Sequence, residues 1–395
     1  MSVLESVSLA FLSLTGLLWL LSLLQLAKRA KDLEFRVTAQ RDPQAPTRGP
    51  LVSVIIPARN EEGNVGLCVD GALAQTYQDL EVLVLDDRSE DQTRAEAQAR
   101  ADRDPRVKLL SGVERPEGWM GKVWACHTAQ QHAKGEFLLF TDADVRLEPE
   151  AIRQALAYLQ QNKLGALSVF GRLTMLSFWE WTVQPLIGGL ILQNNDPRKV
   201  NDPAHKDKVM ANGQFIFCSR AAYDQIGGHG SIQAEILDDV SFARRCKSLD
   251  VPYHMAYGRE LYSCRMYRSL PEIWNGWTKN LFAGLHYKVG LAVGVCLVLF
   301  ALNLVPFLAI PARALQLLAT GAPLGADPIL LLATLNTTLM YLVYIGGLKA
   351  SDYSPRYFWT YPIGMTVVIG LFANSALRIA TGRGVSWKGR TYFNK

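Results

Sequence analysis

The stretch EFLLFTDAD (Glu136–Asp144) decides the fold class of this 395-residue chain. A short apolar run, FLLF, ends in Thr141 and then in two carboxylates, Asp142 and Asp144, that are separated by one residue. A continuous apolar run of this length is typical of a strand that is buried on both faces of a sheet. In parallel α/β sheets, ligands bind beyond the carboxyl ends of the strands. The stretch therefore predicts that both carboxylates lie at the ligand-binding edge of such a sheet.

Similar apolar runs occur upstream at regular intervals. Helical patterns separate them, at about residues 60–74, 90–101 and 122–133. Alternation of strands and helices predicts an α/β fold with a parallel sheet and helices on both of its faces. The upstream runs are LVSVIIP (Leu51–Pro57), LEVLVLDD (Leu80–Asp87) and VKLL (Val107–Leu110).

Two carboxylates at this spacing repel each other unless a cation lies between them. Carboxylate oxygens are the ligands that Mg²⁺ and Mn²⁺ prefer, and these ions keep coordination positions free for water and substrate phosphates. A D-x-D pattern alone occurs by chance in many proteins. Its position directly after FLLFT, and downstream of DDRSED (Asp86–Asp91), makes a metal-assisted phosphate site the specific prediction.

Four windows of about twenty residues contain no charged residue, and charged residues bracket each one. With 49% hydrophobic and 19% charged residues, the chain is not disordered, collagen-like or a coiled coil. Long uncharged apolar runs that end on charges predict membrane-spanning helices, with buried core helices as the alternative. The windows are Ser6–Ala27, Val289–Ala312, Pro328–Leu348 and Tyr357–Leu377.

The first window is predicted to be an uncleaved anchor. No Lys or Arg precedes it, and Lys28, Arg29 and Lys31 stand where a signal peptide would have a small-residue cleavage site. The positive-inside rule then places the N-terminus outside and the residues after Lys28 in the cytoplasm. We therefore expect a multi-pass protein of the cell (inner) membrane with a cytoplasmic α/β domain.

The predicted organisation has five parts: an anchor (1–27), a linker (28–50), the α/β domain (51–288), the C-terminal membrane helices (289–380) and a basic tail (381–395). Four full crossings would put the basic tail outside, against the positive-inside rule. Either one window re-enters without crossing, or residues 289–312 and 315–324 form a hairpin. Within the α/β domain, residues 174–195 are Trp-rich, but their uncharged stretch of roughly fifteen residues is too short to span, so they predict an interfacial segment or a buried helix.

Five motifs in a fixed order resemble the inverting glycosyltransferases of family two, which have the GT-A fold, a Rossmann-like nucleotide-diphospho-sugar transferase domain. GWMGKVWACH (Gly118–His127) and the tail VSWKGRTY (Val385–Tyr392) are similar to membrane-bound members acting on isoprenoid lipids, the carotenoid and hopene-associated glycosyltransferases. The five motifs are VSVIIPARNEE (Val52–Glu62), VLDDRSEDQT (Val84–Thr93), GKVWA (Gly121–Ala125), FTDADV (Phe140–Val145) and ILDDVSFARR (Ile236–Arg245).

This resemblance implies a role for each matching residue. Lys122 would lie beside the donor diphosphate, with a solvated helix start as the alternative. Asp144 would bind Mn²⁺ or Mg²⁺ directly, and Asp142 would reach the ribose or the metal ion. The donor implied is a nucleotide sugar, UDP-glucose by resemblance. The residues implied to line the nucleotide pocket are Pro57, Arg59, Glu61 and Asp87.

By the same resemblance, Asp239 matches the catalytic base of the family, which takes a proton from the acceptor. The motif reads Asp238-Asp239 where the family more often has Glu-Asp, so either carboxylate is a candidate. The alternative is a helix N-cap for residues 240–247. An acceptor carboxylate is already ionised at neutral pH and needs little base catalysis, whereas an acceptor hydroxyl needs it.

Five residues are expected to contact the acceptor or the diphosphate. His229 belongs to a GGHG loop, and a structural role for it is an equal alternative. Other members of the family have a Q-x-x-R-W helix where this chain has WNGWTK (Trp274–Lys279). The arginine of that motif is absent here. That change argues against a processive polysaccharide synthase. The five residues are Gln214, His229, Arg265, Trp277 and Lys279.

The predicted function is transfer of a sugar, by resemblance glucose, to an isoprenoid lipid such as a carotenoid carboxylate or hydroxyl. A sphingoid, diacylglycerol or polyprenyl phosphate acceptor is the alternative, and a non-catalytic nucleotide-binding membrane protein is a remote one. The net charge of +5 is modest, and basic residues cluster beside the apolar windows. An anionic lipid surface is therefore expected as a partner rather than nucleic acid.

Overall fold

The computed structural model describes residues 2–29, 35–285, 288–387 and 390–392. The chain divides into two compact units. The sheet unit comprises Glu34–Met175 and Gln193–Met266, and the helical unit comprises Met1–Leu33, Leu176–Leu192 and Tyr267–Lys395.

Twelve strands form three sheets in the described residues. They are β1 (Val52–Ala58), β2 (Leu80–Asp86), β3 (Val107–Ser111), β4 (Phe137–Thr141), β5 (Val145–Leu147), β6 (Ala166–Phe170), β7 (Arg172–Leu173), β8 (Phe215–Ser219), β9 (Tyr253–Tyr257), β10 (Tyr262–Cys264), β11 (Val385–Trp387) and β12 (Arg390–Tyr392).

In the described part of the sheet unit the helices are α2 (Val65–Leu73), α3 (Thr93–Ala101), α4 (Gly121–Gln130), α5 (Ala151–Gln161), α7 (Pro197–Asn201), α8 (Arg220–Gln225) and α9 (Asp238–Ser248). The helical unit contains α1 (Val3–Arg29), α6 (Phe178–Asn194) as far as Leu192, α10 (Leu270–Gly284), α11 (Val289–Asn303), α12 (Val305–Thr320), α13 (Pro328–Ala350) and α14 (Tyr361–Ala380). Short 3₁₀ turns are Gly228–Ile232, Leu324–Ala326 and Pro355–Thr360.

The main sheet has seven strands in the order β3-β2-β1-β4-β8-β6-β9. Its first four strands are parallel, which confirms the prediction for that half. The all-parallel expectation is wrong for the other half, because β8 runs antiparallel to both β4 and β6. The chain returns from α6 and α7 at the carboxyl edge, where Phe215 pairs with Thr141, and so enters the sheet from that side.

The strands are apolar on both faces because helices cover both faces. Val54 and Ile56 pack in one buried cluster with α2 and α5. Ile55 packs in a second cluster with Val123 of α4 and Phe242 of α9. The predicted layers of the α/β domain are thus confirmed.

The division into units differs from the predicted boundaries at 50 and 288. Residues 35–50 belong to the sheet unit, because Val37 and Ala45 are buried and Arg36 bridges to Tyr257 of β9. α10, which lies before the predicted domain end at 288, belongs to the helical unit. Asn374 of α14 donates a hydrogen bond to Thr278 of α10 over 3.0 Å.

Among the described residues of the helical unit, three stretches are long and apolar enough to cross a membrane, namely Val3–Lys28, Pro328–Ala350 and Pro355–Arg378. The pair Val289–Asn303 and Val305–Thr320 is the fourth candidate, bent by 48° at Leu304. A bend of 48° is not a chain reversal. The predicted hairpin between 289–312 and 315–324 is therefore wrong, and α12 is one helix through that region.

The helix α6 of the Trp-rich segment 174–195 is partly buried in the helical unit, and the interfacial role of the segment stays a prediction. Val183 and Leu186 of α6 are buried, while Phe178 is 38% exposed. Trp181 stacks on Tyr357 with ring centroids 5.7 Å apart. The segment is therefore a helix packed within the helical unit, with an apolar exposed end.

Candidate active site

The sheet brings the predicted site residues to one edge. Because β1, β2 and β4 are parallel and in register, Ala58, Asp86 and Thr141 mark the same edge. The antiparallel β8 starts at this edge, since Phe215 pairs with Thr141. The residues just before β8 therefore join the residues that follow β1, β2 and β4.

The loops after β1 and β2 are tied to each other. The Arg59 guanidinium donates to the carbonyl of Asp87 over 2.8 Å, and the Glu61 N–H donates to the Thr93 hydroxyl over 2.7 Å. Asp87 is buried and Pro57 is half-buried. Asn60 and Arg88 adopt left-handed backbone conformations that these tight turns require. The loops that carry the four residues predicted to line the nucleotide pocket therefore lie side by side.

Lys122, in the first turn of α4, lies between two carboxylates. Its Nζ is 2.6 Å from Asp142 Oδ1 and 3.6 Å from Asp238 Oδ2. Burial alone would lower the pKa of Lys122, but the two carboxylates raise it well above its usual value. Lys122 is therefore a fixed cation rather than a solvated helix start. It links the D-x-D stretch to the candidate base region.

Asp239, in the first turn of α9, is held by two backbone N–H groups. Gly213 N–H donates to Oδ2 over 2.9 Å and Val240 N–H donates to Oδ1 over 2.8 Å. Burial and the neighbouring Asp238 raise the pKa of Asp239 to about 6, against the opposing effect of Lys122 and the N–H donors. At neutral pH this carboxylate is ionised and has the basicity of a general base.

Neither aspartate is the N-cap of α9. The N-cap position is Leu237, and no side chain caps the helix there. Asp238 is paired with Lys122, whereas Asp239 has the raised pKa. These different surroundings favour Asp239 over Asp238 as the base.

Gly213 has a steric role that the sequence did not reveal. A Cβ atom at this position would lie 3.0 Å from Lys122 Nζ and 3.5 Å from Asp239 Oδ2. The backbone N–H can approach Asp239 because residue 213 has no side chain. The glycine between Asn212 and Gln214 was the available signal, but its hydrogen-bond partner could not be read from the sequence.

Asp144 lies beside the buried thiol of Cys264. Burial and the neighbouring charges of Asp144 and Asp142 raise the pKa of Cys264 well above its usual value. Within the described residues, no group of three or more His, Cys, Asp and Glu side chains could hold a metal ion. The donor chemistry of Asp142 and Asp144 fits Mg²⁺ or Mn²⁺ whose coordination is completed by water and by substrate phosphate oxygens.

Two predicted acceptor contacts have structural partners instead. His229 is 3% exposed, its Nδ1 lies 2.9 Å from the Tyr223 hydroxyl, and burial lowers its pKa to about 3. Gln214 is buried, and its amide contacts Cys264 Sγ at 3.2 Å and Asn212 at 3.2 Å. A buried 3₁₀ turn replaces the flexible GGHG loop that the sequence suggested. We therefore leave both residues out of the proposed site.

The remaining predicted contacts lie on different units. Arg265 follows β10 in the sheet unit, whereas Trp277 and Lys279 lie on α10 in the helical unit. Trp277 is 8% exposed and packs edge-on against Tyr267, with centroids 6.1 Å apart. Their contacts with an acceptor stay a prediction.

A mixed sheet with carboxylates and a lysine at its carboxyl edge is the architecture of a GT-A-like domain. Residues 53–226 match the family described as "Glycosyl transferase family 2", so the chain carries a family 2 glycosyltransferase domain. The resemblance stated from the motifs is confirmed.

Relatives in staphylococci are similar over this region. The chain is 27% identical over 242 residues to the 4,4'-diaponeurosporenoate glycosyltransferase of Staphylococcus aureus (strain USA300), covering 59% of this chain and 61% of the relative. The Staphylococcus haemolyticus (strain JCSC1435) protein of the same name is 26% identical over 236 residues, with the same coverage. The match thus spans about three fifths of the length of these relatives.

A solved structure is similar over nearly the whole chain. It is the mannosyltransferase PcManGT from Pyrobaculum calidifontis in complex with GDP-Man and Mn²⁺, at a TM-score of 0.51 and 20% identity. The similarity covers 94% of this chain and 99% of that one. At this identity it supports the fold alone.

Proposed function

We propose that this protein is an inverting glycosyltransferase that moves a sugar from a nucleotide-sugar donor to a membrane isoprenoid lipid. The observation that carries the proposal is the arrangement at the carboxyl edge of the sheet. Asp239, with its raised pKa, lies beside the cation Lys122, which also contacts the D-x-D stretch. A base, a fixed cation and paired carboxylates together form the set that sugar transfer from a diphosphate needs.

The residues divide the reaction between them. Asp239 accepts the proton of the acceptor O–H as the acceptor oxygen bonds to the anomeric carbon. The bond from that carbon to the diphosphate breaks on the opposite face, which inverts the configuration. Lys122 stabilises the negative charge that develops on the leaving nucleoside diphosphate. Asp238 keeps Lys122 protonated and oriented through the 3.6 Å contact.

Asp144 and Asp142 would hold Mn²⁺ or Mg²⁺ together with the donor diphosphate. A bound divalent ion supplies further neutralisation of the leaving group. Asp142 pairs with Lys122, and Asp144 lies beside the buried thiol of Cys264. Both partners are therefore positioned to keep the carboxylates in place before the donor binds.

The acceptor class follows from the helical unit and the relatives. The exposed surfaces of α1 and α13 are apolar, as expected of helices in contact with lipid. The staphylococcal relatives are named for a carotenoid acid, diaponeurosporenoate. We therefore propose UDP-glucose as donor and a carotenoid carboxylate or hydroxyl as acceptor.

We further propose a multi-pass protein of the inner membrane whose sheet unit faces the cytoplasm. Lys28 and Lys31 follow the first apolar helix, and basic residues flank membrane helices on the cytoplasmic side. Nucleotide sugars are made in the cytoplasm, so this orientation gives the site access to its donor.

The test is incubation of membranes containing the full chain with radiolabelled UDP-glucose, Mn²⁺ and extracted carotenoids. We expect labelled carotenoid with the wild-type protein and with Asp250→Asn, an exposed control. Asp144→Ala should lose at least about tenfold of this activity. Equal product from Asp144→Ala and wild type would contradict the metal role.

The labelled product also decides the acceptor. Labelled sphingolipid, diacylglycerol or polyprenyl phosphate without labelled carotenoid would replace the isoprenoid assignment. Binding of UDP-glucose without transfer to any of these lipids would instead indicate a non-catalytic nucleotide-binding protein.

A further inference from the structure

Residues 199–213, which run from α7 to β8, are fastened to both ends of α9. At the first end of the helix, Gly213 N–H bonds Asp239. Near the other end, Lys247 reaches back to the earlier part of the same segment. One helix therefore holds both the candidate base and the chain that supplies its hydrogen-bond donor.

Lys247 is a buried cation that binds backbone carbonyls. The residue is only 6% exposed, and its Nζ donates to the carbonyls of Val200 at 2.7 Å, Lys208 at 2.9 Å and Asp202 at 3.1 Å. Burial lowers its pKa, with partial compensation from Asp202 and Asp207. A buried ammonium group is tolerated when its donors are satisfied, and here carbonyls on both sides of the exposed turn 203–207 satisfy them.

Other contacts each fix one residue of the segment, and the Ser168 hydroxyl bonds both backbone groups of Asn212, next to Gly213. The Asn201 side chain bonds both backbone groups of Met255, and the Tyr253 hydroxyl donates to the carbonyl of Met210. Lys206 makes an exposed ion pair with Asp250 at 2.6 Å. Lys247 differs from these because it joins residues 200, 202 and 208 to one another.

We propose that Lys247 is a positioning residue for sugar transfer: by holding the carbonyls of residues 199–208, it keeps the Gly213 N–H against the Asp239 carboxylate. The inference rests on the proposed role of Asp239 as the base. Lys247 itself acts through the backbone and touches neither substrate.

The test compares Lys247→Met, Lys247→Arg and the control Lys206→Met in the full chain, with a hydroxyl acceptor. The hydrogen bond from Gly213 N–H favours the ionised form of Asp239. Loss of the Lys247 contacts weakens this bond, while Asp238 and Lys122 still face the Asp239 carboxyl group. The acid limb of kcat/KM should therefore move up by about half to one pH unit in Lys247→Met. In Lys247→Arg the acid limb should lie closer to its wild-type position. In Lys206→Met the acid limb should match that of the wild type.

Hydrogen exchange gives a second readout that does not depend on activity. Amides of residues 199–213 should exchange faster in Lys247→Met, while amides of β1 and β2 stay protected. An unchanged acid limb with a fall in rate matching the loss of folded protein would reduce Lys247 to a structural role and overturn the proposal. Unchanged exchange in residues 199–213 would overturn it as well. If the wild-type chain transfers no sugar, the proposed function fails. Hydrogen exchange alone then tests whether Lys247 holds residues 199–213 in place.

Discussion

Two adjacent carboxylates, Asp238 and Asp239, have different partners and therefore different chemistry. Asp238 faces the ammonium group of Lys122, whose Nζ lies 3.6 Å from Asp238 Oδ2. Asp239 is buried beside Asp238, and its pKa is raised to about 6. The sequence left the choice between them open because residue type and spacing do not reveal burial. Their surroundings favour Asp239 over Asp238 as the proposed proton acceptor, because Asp238 is a partner of the cation Lys122.

Replacing Asp239 by Asn should separate the two acceptor chemistries. With a hydroxyl acceptor, we expect a loss of about a hundredfold or more in kcat, because the proton has no acceptor. With a carboxylate acceptor, we expect little change, because that group is already ionised. The measurement is the initial rate with each acceptor at pH 7.5, with Asp250→Asn as a control. A severe loss with both acceptors would mean that Asp239 does more than remove a proton.

The pH dependence of the reaction should report Asp239 directly. Its raised pKa means that the carboxyl group is protonated, and inactive as a base, below about pH 6. With a hydroxyl acceptor, kcat/KM should be half-maximal near pH 6 and fall about tenfold per pH unit below it. Lys122 stays cationic across this range, since its pKa is raised. A flat profile between pH 5 and 8 would contradict the assignment.

At the residue scale, the sequence predicted the groups that carry charge and missed the ones that place them. Asp142, Asp144, Lys122 and Asp239 follow from charge, spacing and family resemblance. Gly213 acts through its backbone and through the absence of a side chain. Such a role depends on which chain segments meet in space, and a single sequence does not contain that information.

At the element scale, strands were easier to predict than their directions. β1, β2 and β4 are mostly apolar and almost fully buried because both of their faces are covered, so their pattern alone identified them. β8 is equally apolar, but its antiparallel direction depends on where the chain re-enters after α6. Sequence order likewise places α6 and α10 in the predicted α/β domain, although they belong to the helical unit.

The contact between α6 and α14 is a place where element packing can be tested. A Cβ atom on Gly364 of α14 would collide with the carbonyl of Thr182 on α6. Gly364→Ala should therefore lower the thermal midpoint of the purified protein by about 3–8 °C, because two helices must move apart. Gly189→Ala on α6 is the matched control, since nothing lies within 4 Å of its Cβ position. Equal thermal midpoints for the two variants would contradict a close contact between α6 and α14 at Gly364.

At the scale of the whole helical unit, contacts between helices give their relative directions. α1 and α13 run parallel: Arg313 joins Glu5 to Asp327, Thr15 bonds Asn336, and Leu26 lies against Gly346. The ends at Lys28 and Lys349 therefore share one side. α12 returns to the opposite side, where its Arg313 meets Asp327.

α14 does not follow the path of a fourth crossing. It runs antiparallel to α11, since Tyr361 bonds Asn303 and Cys296 contacts the carbonyl of Ile369. Its first residue also packs on Tyr341 and Tyr344 of α13, roughly 9–14 Å before that helix ends. α14 thus begins part-way through the bundle and runs back along α11 toward Val289, on the Lys28 side. Length and hydropathy alone could not show this, because they make 355–378 long enough to cross.

We therefore expect three crossings, with the basic tail on the same side as Lys28. This resolves the charge conflict of a four-crossing arrangement, because the tail's lysines and arginines then obey the positive-inside rule. The test is labelling of intact cells with a membrane-impermeant maleimide. A cysteine at Thr320, at the far end of α12, should react in intact cells, whereas a cysteine appended to the tail should react only after lysis. Wild-type protein is the control for background, since five of its six cysteines are buried. Reaction of the tail cysteine in intact cells would mean that α14 crosses the membrane completely.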